Sequence, residues 1–247
     1  MTAPALEIVH LVKHFGGIPA TQDVSLKIMP GERRLIIGPN GAGKTTLFNQ
    51  ITGDFRPTSG KILLFGQDVT RLTPHARAHL GLSRTYQIIT LFPQDSVAHN
   101  VVLGLMGLKG ARWNMFRPLG FYAELHAEAR HMLDRVGLGA LAEARVGEIA
   151  YGQKRRLEIA MALAQKPRLL LLDEPLAGLS SEERATIKQL IAAIPRDTTV
   201  IMIEHDMDTA LDLAETVTLL HYGRVLVDGP RDAVIADPKT REVYLGH

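Results

Sequence analysis

Residues Gly38-Pro39-Asn40-Gly41-Ala42-Gly43-Lys44-Thr45-Thr46 follow the apolar run Leu35-Ile36-Ile37 and lead into Leu47-Phe48. Read as strand, loop and helix, this segment wraps a polyphosphate. Its glycines let backbone amides converge on oxygens, and the helix N-terminus adds positive potential. Lys44 then reaches the β and γ phosphates, and Thr45 offers its hydroxyl to magnesium. A glycine-rich turn opening an exposed helix has a similar composition, but here the strand and helix signals fall on the correct sides. The ligand class is a nucleoside triphosphate, and the strand-loop-helix order points to an α/β fold.

A second signal is Leu169-Leu170-Leu171-Leu172-Asp173-Glu174-Pro175. A buried strand ending in two adjacent carboxylates is costly unless something there needs negative charge, and phosphate-bound magnesium does. Asp173 is suited to hold the metal, directly or through water, and Glu174 to orient and deprotonate an attacking water. Taken alone, Asp173 is equally well read as a helix N-cap. With the phosphate loop upstream, a catalytic pair is the better reading.

Composition limits the partners. The 247 residues are 46% hydrophobic, enough for one large domain or two small ones. With 28 basic residues against 26 acidic, net charge +2, and no dense basic tract, nucleic acid is not an expected partner. Cysteine is absent, which excludes disulfides and thiolate metal sites. Met1-Thr2-Ala3-Pro4 lacks the features of a secretory signal, and no apolar run approaches a membrane span; the longest is Val101 to Leu108. Any membrane process the chain serves therefore needs other chains to cross the bilayer.

Strand-like runs occur at Leu6 to Val12, Arg34 to Ile37, Lys61 to Phe65, Leu169 to Leu172, Thr199 to Ile203 and Val217 to Leu220. Several are apolar throughout, as in strands covered on both faces, and helical segments separate the later ones, the alternation of a parallel sheet. From about Phe92 to Gln165 strand signals fade. Leu125, Ala129, Met132, Leu133 and Val136 form one stripe of a helix from Ala123 to Val136. The expected organisation is one folding unit with an inserted helical lobe.

A third motif, Ile149-Ala150-Tyr151-Gly152-Gln153-Lys154-Arg155-Arg156, opens a helix through Leu157, Ile159 and Ala160 about twenty residues before the acidic strand. It resembles the signature of ATP-binding cassette (ABC) ATPases, and the likeness extends over essentially the whole chain. The resemblance implies a P-loop NTPase (RecA-like) fold. That fold has a mostly parallel sheet, an antiparallel β subdomain and an inserted helical subdomain. A core lobe would span about 1-88 and 162-230, a helical lobe about 89-161, and a tail 231-247. It also implies that Ala150, Tyr151, Gly152 and Gln153 face the phosphate loop of a second subunit, so that ATP and Mg2+ are clamped between two chains. One chain would then hold two half-sites and no complete one.

The family's remaining positions are found one at a time. Phe15 matches the aromatic that stacks on adenine. Gln87, in Arg84-Thr85-Tyr86-Gln87, matches the glutamine reaching the metal and the attacking water. His205, after Val200 to Ile203 and Glu204, matches the histidine contacting the γ phosphate. Two departures stand out. Ala150 replaces the serine of the commoner signature, removing one hydroxyl from the partner's γ phosphate and implying a weakened half-site. Ser180 replaces an aspartate that helps the subunits communicate.

Phe15-Gly16-Gly17, Arg84-Thr85-Tyr86-Gln87, Tyr151-Gly152-Gln153 with Arg155-Arg156-Leu157-Glu158, Ile203-Glu204-His205-Asp206-Met207 and Tyr244-Leu245-Gly246 together look like the Liv-type ATPase. That likeness implies an importer of branched-chain amino acids or related small solutes, with two membrane permeases and a solute-binding protein. The ATPase would be peripheral on the cytoplasmic face of the inner membrane, in a homodimer or a heterodimer. His99, in Ser96-Val97-Ala98-His99-Asn100, stands where such proteins usually carry glutamate at their permease contact. A lipid-export ATPase and a soluble ABC scaffold are the other readings. The scaffold types that carry coiled-coil insertions or tandem cassettes do not fit this chain.

Overall fold

The computed structural model describes residues 3–86, 91–107, 123–205 and 210–245. The expected glutamine Gln87, Asp206-Met207 and the glycine-punctuated stretch around Gly110 and Gly120 lie outside them.

Among the described residues ten strands form two sheets. Strands β1 (Leu6–Phe15), β2 (Ile18–Ile28), β4 (Ser59–Leu64) and β5 (Gln67–Asp68) make an antiparallel sheet of order β2-β1-β4-β5. The larger sheet has the order β10-β9-β3-β8-β7-β6, with β3 (Arg33–Ile37), β6 (Leu82–Thr85), β7 (Leu169–Asp173), β8 (Thr199–Ile203), β9 (Thr216–His221) and β10 (Arg224–Pro230). Its pairings are parallel except β9 with β10.

The central strands read as apolar runs because both faces are covered. Ile36, Leu169, Leu171, Ile201 and Ile203 point into a core shared with the antiparallel sheet and α1 (Lys44–Thr52). The residues between them, Leu35, Ile37, Leu170, Leu172, Val200 and Met202, point into a second core. This second core includes Ile159 of α5 (Tyr151–Ala164), Ile187 and Ile191 of α6 (Ser181–Ala192), Val234 of α7 (Arg231–Ala236) and Val243 of α8 (Pro238–Leu245). Alternation with period two thus sorts one strand between two cores.

A third core joins α3 (Val97–Met106), α4 (Ala123–Arg135) and Leu157 and Ala160 of α5. The expected stripe Leu125, Ala129, Met132, Leu133 and Val136 is buried in it. Asn100 is fully buried there. Its side chain accepts the Phe92 N–H at 2.8 Å and donates to the carbonyls of Phe92 and Ser96, which fixes the entry to α3.

All six expected strand runs form strands, and four further strands, β2, β5, β6 and β10, match no expected run. In β2, buried Thr21, Val24, Leu26 and Ile28 are interleaved with polar positions, so no apolar run marks it. Strand β6 is short and polar, and β10 ends in Gly229-Pro230.

Candidate active site

Parallel register aligns three strand tips. Ile36 of β3 pairs with Ile203 of β8, and Ile203 with Asp173 of β7. The phosphate loop, Glu204-His205 and Asp173-Glu174 therefore leave the sheet side by side at its carboxyl edge, where open α/β sheets take their ligands. A cavity of about 380 Å³ is lined by Asn40, Gly41, Ala42, Gly43, Lys44, Thr45, Thr46, Glu174 and His205.

The loop is held in shape by close backbone approach. Gly38 has φ 153°, and a Cβ there would meet Leu220 O at 2.1 Å; Gly43 has φ 100°, with Ala20 O at 2.3 Å. Neither position admits a side chain. Lys44 begins α1, and its Nζ donates to Gly38 O at 2.5 Å and Pro39 O at 3.1 Å, closing the loop on itself. Burial pushes the Lys44 ammonium below its ordinary value, while Glu174 and Asp173 pull it back up, so the cation and both carboxylates share one field.

Asp173 is fully buried, and its Oδ2 accepts from Arg84 Nη2 at 2.7 Å. Its Oδ1 is buried without a hydrogen-bond partner among the described residues. An orphaned carboxylate oxygen, with the Thr45 hydroxyl in the first turn of α1, is the hard-oxygen donor set that magnesium takes, so these residues fit the ion. Glu174 leaves β7 in a left-handed conformation at φ 48°, with its N–H on Ile203 O at 3.0 Å. Its Oε2 lies 3.1 Å from Nε2 of the half-exposed His205.

Two buried arginines were not singled out for this site. Arg84 reaches Asn49 Oδ1 at 2.6 Å as well as Asp173. Arg155 on α5 is 1% exposed; it donates to Glu158 and Tyr86 O, and at 2.8 Å to Glu174 O, tying α5 to the acidic strand's tip. Basic residues beside a signature usually mean an exposed helix face. Only the pairing of Arg155 with Glu158 at i,i+3 hints otherwise.

The signature residues lie at the N-terminus of α5, away from the cavity lining. Ala150 is the N-cap, and its N–H donates to Gln153 Oε1 at 2.9 Å; alanine has no oxygen to return. Tyr151 is 45% exposed. Phe15, at the end of β1, is 44% exposed, packs edge-on against Phe55 at 5.3 Å and carries Lys13 Nζ 5.0 Å over its ring. It is not part of the cavity lining. His99 sits 3.3 Å from Asp95 in the first turn of α3. Tyr244, on the tail helix α8, is half-buried; burial pushes its phenol up to about 12, opposed by the facing Gly38 N–H.

The sequence model of the family "ABC transporter" matches residues 21–177, more than half of the chain. The chain belongs to this family. As an ABC cassette it is an ATPase, of a family that hydrolyses ATP to power transport. It is 36% identical to the high-affinity branched-chain amino acid transport ATP-binding protein BraF of Pseudomonas aeruginosa, covering 100% of this chain and 99% of BraF. It is also 36% identical to the lipopolysaccharide export system ATP-binding protein LptB of Acidithiobacillus ferridurans, over 98% of this chain and 96% of LptB. Among solved structures, the ADP conformation of the ABC cassette MJ1267 matches with TM-score 0.86 and 29% identity over 100% of both chains. A dimeric post-hydrolysis state of the cassette MJ0796, bound to ADP and Pi, matches with TM-score 0.79 and 25% identity, over 92% of this chain and 98% of that one. The P-loop NTPase fold expected from sequence is thus the fold observed. Among the described residues no helix is long and apolar enough to cross a membrane.

Proposed function

We propose that this chain is the motor subunit of an importer for branched-chain amino acids or related small solutes. It closes with a second ABC ATPase subunit, in a homodimer or a heterodimer, around two ATP molecules and drives two permeases from the cytoplasmic face of the membrane. A solute-binding protein delivers the cargo to the permeases. The observation that carries the hydrolytic part is the single cavity in which the phosphate loop, Glu174 and His205 meet. Full-length similarity to BraF supports the importer assignment.

In this proposal Asn40 to Thr46 cradle the phosphates, Lys44 neutralises the β and γ oxygens, and Phe15 offers its ring to adenine. Asp173, Thr45 and Gln87 hold Mg2+, which supplies charge neutralisation to the phosphates when bound. Glu174 takes the proton of the attacking water as the water oxygen bonds to the γ phosphorus and the bond to the β-phosphate oxygen breaks. His205 turns from Glu174 to the γ phosphate. Tyr151, Gly152 and Gln153, at the N-terminus of α5, close over that phosphate from the partner chain. The lobe 89–161 carries this helix end toward or away from the core lobe.

The assignment of Glu174 is tested by Glu174→Gln. ATP binding should persist and hydrolysis collapse; an unchanged rate rejects it. Similarity to LptB supports a second reading, lipid export. Reconstitution with the permeases encoded beside this chain separates the two: leucine-stimulated ATPase supports import, and lipid-stimulated ATPase supports export.

A further inference from the structure

Helix α5 does not present a bare N-terminus. The Glu183 carboxylate lies against Gly152 and faces its N–H: a Cβ on Gly152 would fall 2.3 Å from Glu183 Oε1. The same carboxylate accepts the Ser180 N–H at 2.9 Å through Oε2, while Ser180 Oγ accepts the Glu183 N–H at 3.3 Å. Tyr151 adds a second tie, its ring lying 3.4 Å from where a Cβ on Gly178 would sit. One carboxylate thus joins the signature helix to the start of α6.

A helix N-terminus offers N–H donors and positive potential to one anion. In the two-chain site proposed above, that anion is the γ phosphate on the partner. In the single chain a carboxylate already lies against the Gly152 donor. Like charges brought onto one set of donors repel, and Ala150 has no hydroxyl with which to hold the phosphate separately.

We propose that Glu183 is an internal placeholder for the γ phosphate, a positioning residue that sets the ATP concentration at which two cassettes close. It satisfies Gly152 and ties α5 to α6 while the chain is alone, and it swings off Gly152 when the partner's nucleotide arrives. The inference rests on the two-chain site.

The test titrates ATP-Mg into the Glu174→Gln protein and follows dimer formation by sedimentation velocity. Adding Glu183→Gln keeps an uncharged acceptor in the capping box and should lower the half-dimerising ATP concentration roughly five-fold at low salt. The gap should narrow at about 1 M salt, where charge is screened. Glu183→Ala should move it the same way. A purely structural cap gives a different pattern: no effect of Gln at any salt, and weaker dimers with Ala. That pattern overturns the inference while leaving the two-chain site intact. A Glu174→Gln parent that stays monomeric at saturating ATP overturns a site between two copies and this inference with it.

Discussion

The tips of β3, β7 and β8 and the N-terminus of α5 both offer backbone donors to an anion, yet they are built in opposite ways. At the strand tips the charges are held by protein partners before any ligand arrives: Lys44 is hydrogen-bonded to its own loop and Asp173 to Arg84, and only His205, 3.1 Å from Glu174, has to turn. At α5 the flanking residues are exposed, the cap lacks a side-chain oxygen, and the donor Gly152 faces Glu183, a carboxylate from another helix. Preorganised charge suits chemistry, because it costs no rearrangement at the moment of reaction. A loosely held anion site suits a contact that must form and break in every cycle.

The largest expected effect falls on the strand tips. Glu174→Gln should cut the hydrolysis rate by roughly 10²–10⁴-fold with ATP affinity kept; an equal loss of affinity would mean that Glu174 shapes the loop instead of serving as base. Arg155→Met crosses between the regions, leaving Glu158 without its guanidinium inside the protein. It should cost about 3–5 kcal/mol in chemical denaturation, and a loss under about 1 kcal/mol would show that the link from α5 to Glu174 is dispensable. Lys44→Ala should weaken ATP binding roughly 10- to 100-fold, as one or two charge-assisted hydrogen bonds disappear; normal affinity would break the contrast.

The remaining effects are smaller, and the one at α5 has the opposite sign. Ala150→Ser restores a hydroxyl and should raise ATP-driven dimerisation up to about ten-fold, measured by light scattering; no gain would show that α5 already binds at full strength. Tyr244→Phe keeps the ring in its core and removes the hydroxyl facing Gly38. A rise of about two- to five-fold in the KM for ATP with kcat unchanged would extend the preorganised region to the tail, and an unchanged KM would exclude the tail from it.

The same contrast explains what could be read in advance. The strand tips announce themselves locally: Leu169 to Leu172 is uniformly apolar because both faces are covered, and Asp173-Glu174 then stands out against it. The phosphate loop is one contiguous segment whose glycines have steric reasons, such as Leu220 O against Gly38. Arg84 and Glu183 carry no such mark. Arg84 meets Asp173 across 89 positions, and Glu183 meets Gly152 only because α5 and α6 pack together. Likewise β2 alternates buried and polar residues and yields no run, and its inner face, Thr21, Val24, Leu26 and Ile28, is broken by a register shift between Thr21 and Val24. Contacts distant in sequence depend on topology, and topology followed from the motifs only as far as the family resemblance reached.

The composite site itself is open to a direct measurement, because the chain has no cysteine and introduced thiols report alone. One copy carrying Asn40→Cys and another carrying Tyr151→Cys, both with Glu174→Gln, are mixed and oxidised with ATP-Mg or with ADP. The account predicts a disulfide between the two copies with ATP-Mg and little with ADP. Cross-linking at the same low level in both states would contradict it.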